Sequence, residues 1–101
     1  MARKNIIDNE LRSLVYSITL ELMQKYFPEG RIAGKYYYFL NPFRNDTKIG
    51  SCVIYIKGPR QGKWVDFSSN QKGDIFDLLA RVTGEPVHKI AMQARKAFIE
   101  V

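Results

Sequence analysis

Residues 62–79, GKWVDFSSNQKGDIFDLL, leave a chain few ways to fold. Lys63, Trp64, Val65, Asp66 and Phe67 alternate charged and apolar types, which predicts a half-buried strand. Residues 68–72 are turn formers. Asp74 is a good N-cap, and Ile75, Leu78, Leu79 and Val82 then fall at i, i+3, i+4 and i+7 on one helical face.

The rest of the chain arranges itself around this unit. Residues 1–5 are expected to be a flexible basic tail. A helix is expected over 6–27, capped by Asp8 or Asn9, with Leu11, Leu14, Val15, Ile18, Leu22 and Tyr26 as its apolar stripe and Pro28 and Gly30 ending it. Strands are predicted at 35–40, 51–57 and 63–67. In the second of these, Cys52, Ile54 and Ile56 face the core while Val53, Tyr55 and Lys57 face away. Tyr36, Tyr37 and Tyr38 cannot all point inward, because neighbours on a strand point to opposite faces. Residues 58–62, GPRQG, form a tight connection with Arg60 at its tip. Gly84 suits the C′ position of a 74–83 helix, and Pro86 suits N1 of a last helix over 86–100. That helix carries Val87, Ile90, Ala91, Ala94 and Phe98 inward. The expected fold is α+β: one domain over 1–101, with a small antiparallel three-stranded sheet across 35–67, one N-terminal helix and two C-terminal helices.

Charge is concentrated rather than spread. The net charge is +6, and residues 31–72 carry all of it, with eight basic residues against Asp46 and Asp66. The same window holds eight of the thirteen aromatic residues. Cations interleaved with rings suit a nucleic-acid surface, since cations meet phosphates and rings stack on bases. The same pattern also describes a soluble protein with an aromatic sheet core.

The sequence offers little for catalysis. The lone Cys52 rules out an internal disulfide and a cysteine-based metal cage, and it reads as an inert buried thiol. His88 falls off the apolar stripe of its helix. Asp74 and Asp77 stand where carboxylates favour a helix dipole. No nucleophile–base pair and no phosphate-cradling glycine loop is present. The expected protein is therefore non-catalytic alone and needs no cofactor. No signal-peptide pattern or membrane-spanning run is read, and the cytoplasm is the expected compartment.

Several of these residues also carry a resemblance. Asn41-Pro42-Phe43-Arg44-Asn45-Asp46-Thr47 with Ser51, and Trp64-Val65-Asp66-Phe67 leading through a small-residue turn to Gly73-Asp74 and an apolar helix, resemble the zinc-ribbon domain at the N-terminus of bacterial and phage DNA primases. The similarity spans roughly residues 35–84. On that alignment the metal positions are Asn41, Arg44, Asp66 and Ser69, so the chain resembles a metal-free, zinc-ribbon-like relative of the kind seen among primase-like proteins of mobile elements. An ion pair from Arg44 to Asp66 would then stand where the metal bridges two loops. The resemblance implies a template-binding module for single-stranded DNA, acting in replication or priming beside a polymerase, primase or helicase partner. The binding residues expected on the sheet and its hairpin are Lys35, Tyr37, Arg44, Tyr55, Lys57, Arg60, Lys63 and Lys72, with Trp64 either joining them or anchoring the core. Two other readings stay open: a protein-interaction subunit that docks on the same partners without touching DNA, and an RNA-binding regulator.

Overall fold

The computed structural model describes residues 8–44 and 48–98. The elements in order are α1 (Asn9–Ser17), α2 (Thr19–Tyr26), β1 (Arg31–Ala33), β2 (Tyr36–Tyr38), β3 (Cys52–Tyr55), β4 (Lys63–Asp66), β5 (Gln71–Asp74), α3 (Ile75–Thr83) and α4 (Val87–Phe98). The class is α+β, as expected. The described sheet, however, has five antiparallel strands in the order β1-β2-β3-β4-β5, and the described helices number four. The expected tail at 1–5, the start of the first helix and the end of the last lie outside the described residues.

Each departure has a local cause. The helix expected over 6–27 is two helices. Ser17 Oγ donates to the Leu14 carbonyl and Thr19 Oγ1 to the Tyr16 carbonyl, both at 2.6 Å. Such back-bonds compete with the helical ladder, and Ile18 between them leaves helical geometry at φ −112°, ψ 26°. The break changes the phase of the stripe. Met23, outside the expected set, is fully buried, while Leu14, Ile18 and Leu22 are half-buried.

Strand β1 occupies residues between the expected first helix and the expected first strand, where no element is expected. Gly34, at φ +60°, lets it fold straight back on β2 with Ala33 opposite Tyr36, the tight two-residue turn that places glycine first. Strand β5 uses Gln71 and Lys72, which read as turn. Gly73 is required there, since a Cβ would lie 2.8 Å from Trp64 Nε1 and 2.5 Å from Asp77 Oδ2. Asp74 ends β5 and caps α3 at once. Its Oδ1 accepts from the Phe76 and Asp77 amides, Asp77 Oδ2 accepts from the Asp74 amide at 3.0 Å, and Tyr16 Oη donates to Asp74 Oδ2 at 2.7 Å. That phenol is pushed well above its ordinary value, by burial first and then by its bond to the carboxylate. Gly84 closes α3 in the left-handed conformation, as expected. Helix α4 opens one residue later than expected, with the Pro86 carbonyl accepting from Ile90.

The helices cover one face of the sheet. Tyr37, Ile54 and Trp64 stand side by side in register on that face. They join Leu11, Val15, Met23, Phe39, Cys52, Ile75, Phe76, Leu78, Leu79, Ile90 and Ala91 in a single core. Ile56 is half-buried against it. Val53, expected to face away from the core, is indeed outside that cluster yet is 1% exposed, flanked across the strands by Tyr38 and Val65. Val82 and Phe98, expected to point inward, are exposed; each lies in the last turn of its helix as described, beyond the buried rows.

Gly30 shows how tightly the core is filled. A Cβ there would lie 2.3 Å from the Tyr37 ring and 2.6 Å from the Tyr38 carbonyl. The ring is not free to yield, because Tyr37 Oη donates to the Phe27 carbonyl. Gly30→Ala should therefore cost about 1–3 kcal/mol in urea unfolding, the usual penalty of overpacking. An unchanged midpoint would show that Tyr37 has room to move.

Candidate nucleic-acid interface

Two features arise from this frame. The first is a polar network joining the loop after β2 to the turn between β4 and β5. Asp66 is fully buried at the end of β4, and Asn41 is 1% exposed. Asn41 Nδ2 donates to Asp66 Oδ2 and to Gln71 Oε1, both at 2.7 Å. Arg44 Nη1 reaches Asp66 Oδ2 at 3.2 Å and also donates to Ser68 Oγ. Ser68 returns its amide and hydroxyl to Asp66 Oδ1, and Ser69 Oγ donates to Gln71 Oε1. The ion pair expected between Arg44 and Asp66 is thus present. Burial works to raise the Asp66 carboxyl, but bonds from Asn41, Ser68 and Ser51 outweigh it and hold the group well below the usual carboxylate range. Among the described residues no three His, Cys, Asp or Glu side chains gather as a metal site would need.

The second feature is the sheet face away from the helices. Cross-strand register puts Tyr36 beside Tyr55, and Tyr38 beside Val53 and Val65. The Tyr36 ring lies 5.1 Å from Tyr55 and 6.1 Å from Tyr38. Lys35 Nζ stands 5.5 Å from the Tyr36 centroid and 5.8 Å from that of Tyr55, and the Arg60 guanidinium lies 5.9 Å from Tyr55. A groove of about 760 Å³ continues across the face, lined by Tyr55, Arg60, Lys63, Val65, Phe67 and Lys72 among others. Phe67 is 63% exposed there, far more than an aromatic ring with a structural role needs. Hydrogen bonding to Tyr55 pushes the Tyr36 phenol above its ordinary value.

No family model and no curated protein sequence matches the chain.

Of the nine residues expected to bind, the structure gathers five. Tyr55, Arg60, Lys63 and Lys72 line the groove, and Lys35 lies against its tyrosines. Lys63 also stands 5.7 Å from the Tyr16 ring. Lys57 is exposed but does not line the groove. One assignment is corrected, and two residues have structural partners. Tyr37 is 2% exposed and points into the core, so it offers no ring to a ligand on this face. Trp64 anchors the core, 4% exposed and stacked on Phe43 at 5.5 Å and 7°, and its rim also borders the groove. Arg44 is held by Asp66 and Ser68. The residues missed are Tyr36, Tyr38 and Phe67. Strand parity carried the signal: Phe39 marks the buried side of its strand, which assigns Tyr37 inward and the two flanking tyrosines outward. No described helix is long and apolar enough to cross a membrane.

Proposed function

We infer that the chain is a binding module for single-stranded DNA, an accessory subunit in replication or priming rather than an enzyme in its own right. The observation that carries this reading is the open sheet face, where Tyr36, Tyr38, Tyr55 and Phe67 alternate with Lys35, Arg60, Lys63 and Lys72. Bases stack on such rings at about 1–3 kcal/mol each, while cations follow the backbone. The primase-like resemblance points the same way. Its metal positions, Asn41, Arg44, Asp66 and Ser69, fall in one hydrogen-bonded network with Gln71, which supports reading the fold as a zinc-ribbon-like form whose loops are joined by polar contacts. In that reading the catalytic partner is a polymerase, primase or helicase of the same replication system, and the module works in the cytoplasm.

Fluorescence anisotropy with a labelled single-stranded oligonucleotide tests this. If about four phosphates are neutralised, log K against log salt should slope near −3. A slope near zero with weak binding at low salt would remove the reading. Competition with RNA of the same sequence separates a DNA-binding module from an RNA-binding one. Docking on a protein has one feature of its own in its favour: β1 is an edge strand with Ile32 half exposed at 52%, open to a partner strand.

A further inference from the structure

Beyond β5, on the side of α3, lies a hollow of about 610 Å³ that the open face does not explain. Its floor is apolar: Phe43, Trp64, Ala80 and Val87. Its volume is in the range that holds a small organic ligand. Lys72 and Arg81 stand at its lip, and Lys72 borders both the hollow and the groove of the open face.

One polar group in the hollow has an unmet need. The indole N–H of Trp64 is buried and meets no acceptor among the described residues. Leaving a buried donor unpaired costs about 1–3 kcal/mol. This edge of the indole faces Gly73, a position with no room for even a Cβ. A Cβ at Gly73 would lie 2.8 Å from Trp64 Nε1 and 2.5 Å from Asp77 Oδ2, so a donor and a carboxylate converge there. Asp77 gives one oxygen to the α3 cap and retains the other.

We propose that this hollow receives one unpaired nucleobase, turned out from a strand whose neighbouring nucleotides cross the open face. This rests on the binding reading above and adds a specific pocket to it. The occupant must be flat and largely apolar to fill the floor. It must carry an acceptor for the Trp64 N–H and a donor for Asp77, a pair that every unpaired base presents on its Watson–Crick edge. It must also be flanked by negative charge, because Lys72 and Arg81 are the groups at the lip. A nucleotide meets all three conditions. An aliphatic peptide side chain meets only the first in part.

Trp64 is the only tryptophan in the chain, so its emission reports on the hollow directly. Titration with the four deoxynucleoside 5′-monophosphates should give saturable quenching, with Kd on the order of 1 mM. Ala80→Phe fills the hollow and should abolish the quenching. Arg81→Glu, at an exposed position, should weaken it about tenfold; a thermal melt confirms that each variant folds. Lys35→Glu/Arg60→Glu, on the open face, should lose oligonucleotide binding yet keep the mononucleotide signal. Absence of saturable quenching in the wild type, or quenching unchanged in both Ala80→Phe and Arg81→Glu, overturns the pocket even if oligonucleotides bind. Saturable quenching that behaves as expected in a protein that binds no oligonucleotide supports the pocket and removes the open-face reading instead.

Discussion

Lys35→Glu/Arg60→Glu should reduce affinity for a single-stranded oligonucleotide by roughly two orders of magnitude. The two cations flank Tyr55 from different elements, Lys35 from the β1–β2 turn and Arg60 from the β3–β4 connection. Both are exposed, so reversing their charge would remove the proposed contacts to phosphate without opening the core. Removing one charge-assisted hydrogen bond to a phosphate weakens binding by about a factor of ten, and the salt slope should become shallower by about 1.4 for two phosphates. Anisotropy titrations at several salt concentrations read both numbers. Equal affinity and equal slope in the double variant would show that the strand does not cross this face. Lys57→Glu, by contrast, should have a smaller effect, since that side chain does not line the groove.

Asp66→Ala should be the most damaging single change in stability, at about 2–4 kcal/mol, because the buried Asn41 amide and the partly exposed Arg44 both lose their acceptor. It strips the acceptor from Asn41, Arg44 and Ser68 together. In a domain of this size such a loss lowers the melting temperature by roughly 8–30 °C. Asp66→Asn keeps the shape and should cost less. The pH dependence follows from the direction of the carboxyl's shift. Its folded value lies below the unfolded value of about 3.9, so its stabilisation is complete above the unfolded value and is lost as pH falls through the folded one. Urea midpoints measured from neutral to acid pH should therefore decline below about pH 4 in the wild type and decline less in Asp66→Asn. Parallel acid limbs in the two proteins would mean that another carboxylate governs the loss.

How far the sequence could be read depended on the kind of signal. Helix α3 was legible because cap, stripe and stop agree: Asp74, then Ile75, Leu78 and Leu79, then Gly84. The Arg44–Asp66 pair was legible only through the resemblance. Strands β1 and β5 were not, because Arg31–Ala33 and Gln71–Asp74 carry little of the β-branched or aromatic character that marks a strand. They are strands because their neighbours supply the pairing, and Gly73 is there for a collision that no local pattern reveals. The break at Ile18 turns on two hydroxyl rotamers. In the candidate site, choosing Tyr37 over Tyr36 and Tyr38 set the parity of one strand wrong. A one-residue error of that kind exchanges a solvent row for a core row.

The strand order has a consequence for how the chain reaches its native state. Every described strand is bonded only to the one before and after it in the chain. The sheet can therefore grow as a succession of hairpins, each closing a short loop at small entropic cost. Long-distance closure falls to the shared apolar core, which brings α1 against α4, and to side-chain bonds such as Tyr16 to Asp74 and Arg95 to Asp8. During synthesis the meander can zip up behind the ribosome, and the last helix, arriving late, locks the first one down.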